Sequence, residues 1–321
     1  MSIKKKRIFL TGGAGFIGTS IIKRLIQDNQ IVVYDTLQRN ALKDTALLSH
    51  ANLRLVQGDV LDVDKLAESI TGSNMVLHLA AIAGVDTVMQ NPIKTMNVNL
   101  IGTCNVLAAA STLDGLERLV YFSTSEVFGS RAYTVDESHE TSQGSVGEAR
   151  WTYAVGKLAG EHLCHSYYRE HWLPIIIIRP FNIYGPGQVG EGAIHTFTLG
   201  ALHNKDLVIN GDGSQIRSWC YIDDIVDGII LCLEKAGSVG HAFNLGDPKS
   251  TVTIYDLAKR IIRLSNTKSG IRFQERTYVD IDIRVPNIDK ARAMLGFQPK
   301  VDLDEGISRT IDWYRSRQIS E

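Results

Sequence analysis

Three features of this 321-residue chain predict an α/β fold, a doubly wound parallel sheet with a smaller, interleaved C-terminal lobe. Short apolar runs alternate with helix-period segments through the first half, the pattern of parallel strands joined by crossover helices. A glycine-rich turn at residues 11–18 separates the first of these strands from the first helix. After Pro180 the elements shorten, and glycines and prolines crowd residues 182–192.

Taken in order, residues 7–10 read as the first strand and 16–27 as its helix. Strands follow at 31–35, 53–57 and 75–79, then a helix over 96–111. A strand at 118–122, a helix over 153–171 and the very apolar strand 175–179 complete this half. Beyond Pro180 come a helix over 194–202, strands at 207–209 and 216–221, and an amphipathic closing helix over 303–313. One more apolar strand, 242–245, is expected to return to the main sheet. On this reading residues 1–180 form a dinucleotide-binding domain, with a returning segment near 222–250, while 181–221 and 251–321 form the second lobe. A ligand between them would sit at the carboxyl ends of the strands.

Composition narrows the partners. A formal net charge of −1 supplies no global field for nucleic acid or an anionic membrane. Anionic ligands must therefore be held locally, by helix N-termini and single arginines. Cys104, Cys164, Cys220 and Cys232 are widely spaced and form no Cys-x-x-Cys pair. A disulfide framework or structural zinc site is not expected, and a reducing cytosol suits the chain. Lys4-Lys5-Lys6-Arg7 before Ile8-Phe9-Leu10 imitates a signal peptide, but the glycines that follow interrupt the apolar run. No stretch approaches a membrane span.

The turn Thr11-Gly12-Gly13-Ala14-Gly15-Phe16-Ile17-Gly18 lies between a strand and a helix. Glycine permits the tight turn, clears space for a pyrophosphate and lets helix pack on strand. The helix N-terminus then offers unpaired N–H groups to the phosphates. The second strand ends at Asp35, placed to accept from the adenosine ribose hydroxyls. A carboxylate there repels a 2′-phosphate, so NAD is favoured over NADP; Arg39, close by, pulls the other way. Asp59, in Gly58-Asp59-Val60, is placed to meet the adenine amino group, although a plain turn residue would look the same.

The glycine spacing is GxxGxxG, which resembles the extended, sugar-nucleotide branch of the short-chain dehydrogenase/reductases. Further segments match that branch in order: His78-Leu79-Ala80-Ala81, Asn99-Leu100-Ile101-Gly102-Thr103, Ser123-Thr124-Ser125-Glu126, Tyr153-Ala154-Val155-Gly156-Lys157 and Arg179-Pro180-Phe181-Asn182. The likeness continues through Tyr184-Gly185-Pro186 and Gly211-Asp212-Gly213 to Arg217-Ser218-Trp219, nearly the whole chain. It implies a Rossmann-type fold, NAD as cofactor and a nucleotide-diphosphate sugar, UDP-linked, as substrate. Gly12, Gly15, Phe16, Ile17, Gly18, Asp35, Asp59, Val60, Ala80, Asn99 and Lys157 are the cofactor-binding residues it implies.

Tyr153 and Lys157 are one helical turn apart on a single face. A phenol with a pKa near about 10 is a poor base at neutral pH. A neighbouring ammonium favours the phenolate, so the pair is expected to take a proton from a sugar hydroxyl, with Lys157 also bonding the nicotinamide ribose. A bare Tyr-x-x-x-Lys arises on any amphipathic helix; its place after a dinucleotide half-domain and a Ser-Thr-Ser strand end favours chemistry. Thr124 would orient the hydroxyl being oxidised. The resemblance implies oxidation at C4, giving a 4-keto sugar.

Ser125-Glu126 separates the reactions that can follow. The branch's 4,6-dehydratases usually carry Asp-Glu here, and Ser125 removes that acid. Its simple 4-epimerases usually carry small residues at both positions, so Glu126 would be surplus. Thr-Ser-Glu looks most like UDP-glucuronate decarboxylases, as does Arg150-Trp151-Thr152-Tyr153, whereas Gly187-Gln188 replaces an arginine they often have. Decarboxylation therefore ranks first, 4-epimerisation second and dehydration third. A catalytically silent, NAD-sensing regulator is the reading from another class, and retention of Tyr153 and Lys157 opposes it.

Arg217 and Arg284 are expected to hold the diphosphate, since guanidinium forks match phosphate oxygens; Arg217 can also reach a substrate carboxylate. Asn182 resembles the branch's diphosphate-contacting asparagine. His162 and His165, beside Glu161, lack a third ligand and make no zinc site; His78 reads as buried support beneath the cofactor. No metal is expected. A homodimer is expected through the helices at 96–111 and 153–171.

Overall fold

The computed structural model describes residues 3–276 and 278–317. Fifteen strands and eleven α-helices follow one another along them. The main sheet uses β1 (Arg7–Thr11), β2 (Gln30–Asp35), β3 (Leu53–Gln57), β4 (Met75–His78), β5 (Arg118–Phe122), β7 (Ile175–Pro180) and β12 (Ala242–Leu245). All seven are parallel, in the order β12-β7-β5-β4-β1-β2-β3. The fold is the doubly wound, Rossmann-type sheet that the alternating pattern predicts. The strand at 242–245 does pair with β7 in the main sheet.

Successive side chains of a strand point to opposite faces, and the core divides accordingly. Ile8, Leu10, Val33, Leu77, Val120 and Ile178 pack into one buried cluster. Phe9, Val32, Tyr34, Val76, Tyr121 and Ile177 pack into a second. Both faces are covered by helices, which is why these strands read as continuous apolar runs rather than alternating ones. The helices of this layer are α1 (Phe16–Leu25), α2 (Val63–Ile70), α3 (Val85–Gln90), α4 (Pro92–Met96), α5 (Gly102–Ser111), α6 (Thr152–His171) and α8 (Ile222–Glu234).

The direction of winding reverses at β1, whose neighbours are β2 on one side and β4 on the other. Chains leaving β1 and β4 part there and open a crevice at the carboxyl edge. Two glycines let α6 approach its neighbours closely, Gly160 the sheet and Gly156 the helical segment that carries Asn99. A Cβ on Gly160 would collide with the hydroxyl of Tyr121, and one on Gly156 would come within 3.1 Å of Asn99 Cβ.

The second lobe holds a four-stranded sheet, β13-β10-β15-β6, from β13 (Thr251–Thr253), β10 (Ile216–Ser218), β15 (Ile283–Pro286) and β6 (Arg131–Val135). Two small sheets pair β11 (Cys220–Tyr221) with β8 (Ile183–Tyr184) and β14 (Ile271–Gln274) with β9 (Leu207–Asn210). Helices α7 (Ala193–Leu202), α9 (Ile254–Ser265), α10 (Asp289–Leu295) and α11 (Leu303–Ser316) complete the chain.

Two elements differ from the sequence reading. The single strand expected over 216–221 is broken at Trp219, because Ile216–Ser218 pairs with β13 and β15 while Cys220–Tyr221 pairs with β8. The helix expected over 96–111 begins earlier and is interrupted by a π-type turn at Asn97–Ile101. Within that turn the Asn99 amide closes on Ile82, accepting from its N–H at 2.8 Å and donating to its carbonyl at 3.0 Å. Among the described residues, no helix is long and apolar enough to cross a membrane.

Candidate active site

The crevice at the β1 reversal is a cleft of about 430 Å³. Its floor is the glycine turn. Gly12 has φ +68°, and a Cβ there would lie 2.6 Å from the Ala80 nitrogen, filling the gap between β1 and β4. No side chain caps the N-terminus of α1, so its first turn faces the cleft with backbone groups alone. Gly15, Phe16, Ile17 and Gly18 line that end, with Asp59, Val60 and Ala80 opposite. This shape and donor set fit a dinucleotide, whose pyrophosphate would meet the α1 N-terminus.

Asp35 stands at the end of β2 and borders the same cleft. Its carboxylate accepts from the Ala14 N–H at 3.0 Å and the Leu37 N–H at 2.7 Å. Burial pushes its pKa up, and those two N–H groups pull it back only in part. His78 sits beneath the floor, fully buried, with Nδ1 2.7 Å from Thr11 Oγ1 and Nε2 3.0 Å from Thr103 Oγ1. Burial and then the Lys157 charge push its pKa down to about 3, so it is neutral.

Tyr153 and Lys157 close the other end of the cleft, beside Phe122 and Ser123. Lys157 is buried to 1% exposure, its Nζ donating to the Phe122 carbonyl at 2.7 Å and standing 5.0 Å from the Tyr121 ring centroid. Burial pushes its pKa down to about 8. One turn further along α6, the buried Glu161 accepts from Arg179 and from the Ser123 hydroxyl. The helix is thus tied to the ends of β5 and β7 by two charged side chains.

The electrostatics at Tyr153 differ from the sequence argument, which has Lys157 drawing the phenol down. The Tyr153 pKa rises to about 12: burial is the largest cause and the Glu126 charge the second, with the Thr124 hydroxyl, Arg284 and Arg150 opposing. A further positive charge is needed to bring the phenol into use. An oxidised nicotinamide ring carries one.

Thr124 caps the short 3₁₀ turn Ser125–Phe128, its Oγ1 accepting from the Glu126 N–H at 3.2 Å. Ser125 is buried. Glu126 enters an arginine cage: Arg150 donates to both carboxylate oxygens, at 2.6 and 3.3 Å, and Arg284 Nη1 stands 3.6 Å from one of them. Burial alone would raise the Glu126 pKa, but Arg284, Arg150 and Arg217 outweigh it and hold it below the usual carboxylate range. Asp280 joins from the loop before β15, 3.7 Å from Arg150 and 3.5 Å from Arg217.

The expected substrate-binding residues are largely turned inward. Arg217 donates to the carbonyls of Ile281, at 2.5 Å, and Ile216, at 3.0 Å. Asn182 donates to the Ser218 carbonyl at 2.8 Å, tying β8 to β10. Asn99 does not line the cleft, because Ile82 occupies its amide. Arg284 keeps two open donors: it is 5% exposed, yet its Nε and Nη2 have no partner, and Arg150 leaves its Nε open beside it. Sequence reasoning picks up Arg150 only as part of a run and misses Asp280. A residue-pair signal at such separations is absent from a single chain. Among the described residues, no group of His, Cys, Asp or Glu is placed to hold a metal.

The cage carries a pH signature. Because the folded pKa of Glu126 is depressed, its contribution is fully present above the unfolded value of about 4.3 and is lost as pH falls through the folded value. Glu126→Gln removes the counter-charge of Arg284 and leaves Arg150 with Asp280 alone, costing up to about 3–5 kcal/mol at neutral pH. Denaturant melts of the two proteins from pH 8 to 3 should show a gap that is flat to about pH 5 and then narrows. A gap that stays constant into the acid transition would contradict an ionised, caged Glu126.

Comparison with known proteins agrees with this geometry. Residues 8–246 match the NAD dependent epimerase/dehydratase family. The chain is 33% identical to a UDP-N-acetyl-alpha-D-glucosaminuronate decarboxylase of Bacillus cytotoxicus, over 97% of this chain and 98% of that protein. It is 34% identical to UDP-glucuronic acid decarboxylase 3 of Arabidopsis thaliana, over 97% and 90%. Among solved structures, the UDP-glucuronic acid 4-epimerase of Bacillus cereus, in complex with UDP-glucuronic acid and NAD, superposes with a TM-score of 0.87. It is 29% identical and the match covers 97% of this chain and 99% of that one. With a family match over most of its length and a glycine-floored cleft to hold the dinucleotide, the chain belongs to the NAD-dependent epimerase/dehydratase family of enzymes.

Proposed function

We propose that this enzyme oxidises a UDP-linked hexuronate at C4 and then decarboxylates it, as a UDP-glucuronate-type decarboxylase. The observation that carries this reading is the arginine cage. Three guanidiniums, Arg150, Arg217 and Arg284, face two carboxylates, Glu126 and Asp280, leaving one positive charge unbalanced. The open donors of Arg284 are costly to bury unless an anion completes them. A carboxylate fits that fork. The same charges act on the Tyr153 phenol, so the anion they receive belongs near the reacting carbons. The C6 carboxylate of a hexuronate meets that requirement, and the two decarboxylases named above act on such sugars by name.

The glycine turn and Asp35 would hold NAD, which when bound would supply the hydride acceptor and donor for C4. Thr124 orients the C4 hydroxyl, and Tyr153 takes its proton as the C4 oxygen becomes a ketone. The C6 carboxylate is then part of a β-keto acid. The C5–C6 bond breaks, CO2 leaves and the bonding electrons pass to the C4 oxygen as an enolate. Glu126 takes up a solvent proton and passes it to C5, returning to the carboxylate that its arginines favour, and Tyr153 returns its proton when C4 is reduced. Ser125 has no acid with which to expel a C6 hydroxyl, which opposes 4,6-dehydration.

A second reading is 4-epimerisation of the same uronate. The two-point grip of Arg150 on Glu126 favours it, since a carboxylate so held can be purely structural. For assembly, we place a homodimer contact on the segment at 96–111 and on α6, where Ile101 and Val155 are 47% and 39% exposed. All four cysteines are free thiols, which suits the reducing cytosol where we place the protein.

Tyr153→Phe should lower turnover by about 10²–10⁴ while circular dichroism stays unchanged; near-normal turnover would remove Tyr153 from the mechanism. Light scattering at micromolar concentration should give twice the monomer mass, and a monomer there would reject the contact. The deciding experiment incubates the enzyme with UDP-glucuronate in D2O and reads the product by mass and proton NMR. Decarboxylation predicts loss of CO2 and one deuterium at C5, both slowed in Glu126→Gln. An unchanged mass, inversion at C4 and no deuterium would establish epimerisation and leave Glu126 structural.

A further inference from the structure

Arg39 stands four residues beyond Asp35, on the segment leaving β2, and lines the same cleft. An arginine in this neighbourhood is the group that accommodates the 2′-phosphate of NADP in sheets of this kind. Here it is already engaged. Nη1 donates to the Ala83 carbonyl at 3.0 Å, and Nη2 donates to Thr87 Oγ1 at 2.9 Å and to Glu191 Oε1 at 3.3 Å.

Glu191 arrives from the far side, on the glycine-rich loop between β8 and α7, whose Val189 also lines the cleft. Its carboxylate is anchored independently of Arg39. Oε1 accepts from the Thr87 hydroxyl at 2.5 Å and the Thr87 N–H at 3.1 Å, and Oε2 accepts from the Asp86 N–H at 3.0 Å. Local sequence makes room for the bridge. A Cβ on Gly84, at φ +99°, would lie 2.5 Å from the Glu191 carboxylate, and one on Gly190, at φ +88°, would lie 2.9 Å from Arg39 Cζ. The side chains of Arg39 and Glu191 are 39% and 31% exposed, a setting in which the pair contributes little to stability. Its consequence lies in recognition.

We propose that Glu191 is a specificity-determining residue, a built-in anion that occupies Arg39 and so denies the cofactor's 2′-phosphate the counter-charge that the segment after β2 brings to the cleft. Asp35 repels the phosphate, and Glu191 removes the group that would offset that repulsion. Discrimination between two ligands is a difference of affinities, and here two carboxylates act against one of them.

The test uses the purified enzyme equilibrated with a defined mixture of NAD+ and NADP+, followed by rapid gel filtration and chromatography of the released nucleotides. The bound ratio is insensitive to any general loosening of the loop, which weakens both cofactors alike. In Glu191→Ala the NADP share should rise at least about tenfold, corresponding to about 1.4 kcal/mol of relative affinity. Glu191→Gln, which keeps the side chain's size and removes its charge, should move the ratio the same way. Adding Arg39→Met to Glu191→Ala should restore the wild-type ratio. An unchanged ratio in both Glu191 variants would overturn the proposal. So would a gain that survives the loss of Arg39, because the phosphate would then be using another group.

Discussion

The docking of α6 onto the end of β5 is the contact on which the chemistry depends. Lys157 reaches down to the Phe122 carbonyl, Tyr121 donates to the Lys157 carbonyl, and Glu161 is bound by Ser123 and Arg179. Gly160 permits this approach, because any side chain there would strike the Tyr121 hydroxyl. A charged lysine and a charged glutamate are buried one turn apart, each satisfied by a strand end. Breaking either leaves an unpaired buried group, so helix and sheet are held in one register. Tyr153 takes its place at the cleft as a consequence.

Charge at the reacting end is distributed with the same economy. The Glu126 carboxylate raises the Tyr153 pKa, and the arginines around it both offset that effect and keep Glu126 ionised. Lys157, pushed down to about 8, contributes less positive charge than a free lysine would. The resting site therefore keeps its phenol protonated. A bound, oxidised cofactor would add positive charge and shift that balance toward the phenolate, which couples proton removal to cofactor binding.

One continuous apolar cluster joins the two lobes, running from Ile8, Leu10 and Ile22 to Phe197, Ile209 and Leu257, and polar bridges add to it around the cleft. Glu191 ties the loop after β8 to α3 and Arg39, and Asn182 ties β8 to β10. Such contacts leave backbone and side-chain donors committed to neighbours inside the protein. The cage arginines depart from that pattern, Arg284 with its Nε and Nη2 open and Arg150 with its Nε. An enzyme that must hold an anion needs such an exception, and it sits where the charge balance is incomplete.

Much of this was legible in the residues themselves. Apolar runs of four to six residues, the glycine turn and Asp35 specify a parallel sheet with a dinucleotide crevice, because period, turn chemistry and charge are local properties of a chain. Tyr153 and Lys157 are paired by helix geometry alone. Only the tertiary structure decided what surrounds them. Arg150 and Glu126 are 24 residues apart, Glu126 and Arg284 158, and Arg39 and Glu191 152. No local rule links such positions, so the sequence argument assigned Arg217 to a ligand when backbone carbonyls claim it. It likewise could not foresee that one donor of the Lys157 ammonium goes to the Phe122 carbonyl. Residue types disclose which chemistry a chain can perform, whereas partners, burial and hence pKa belong to the packed three-dimensional arrangement, since each depends on distance through space and not along the chain.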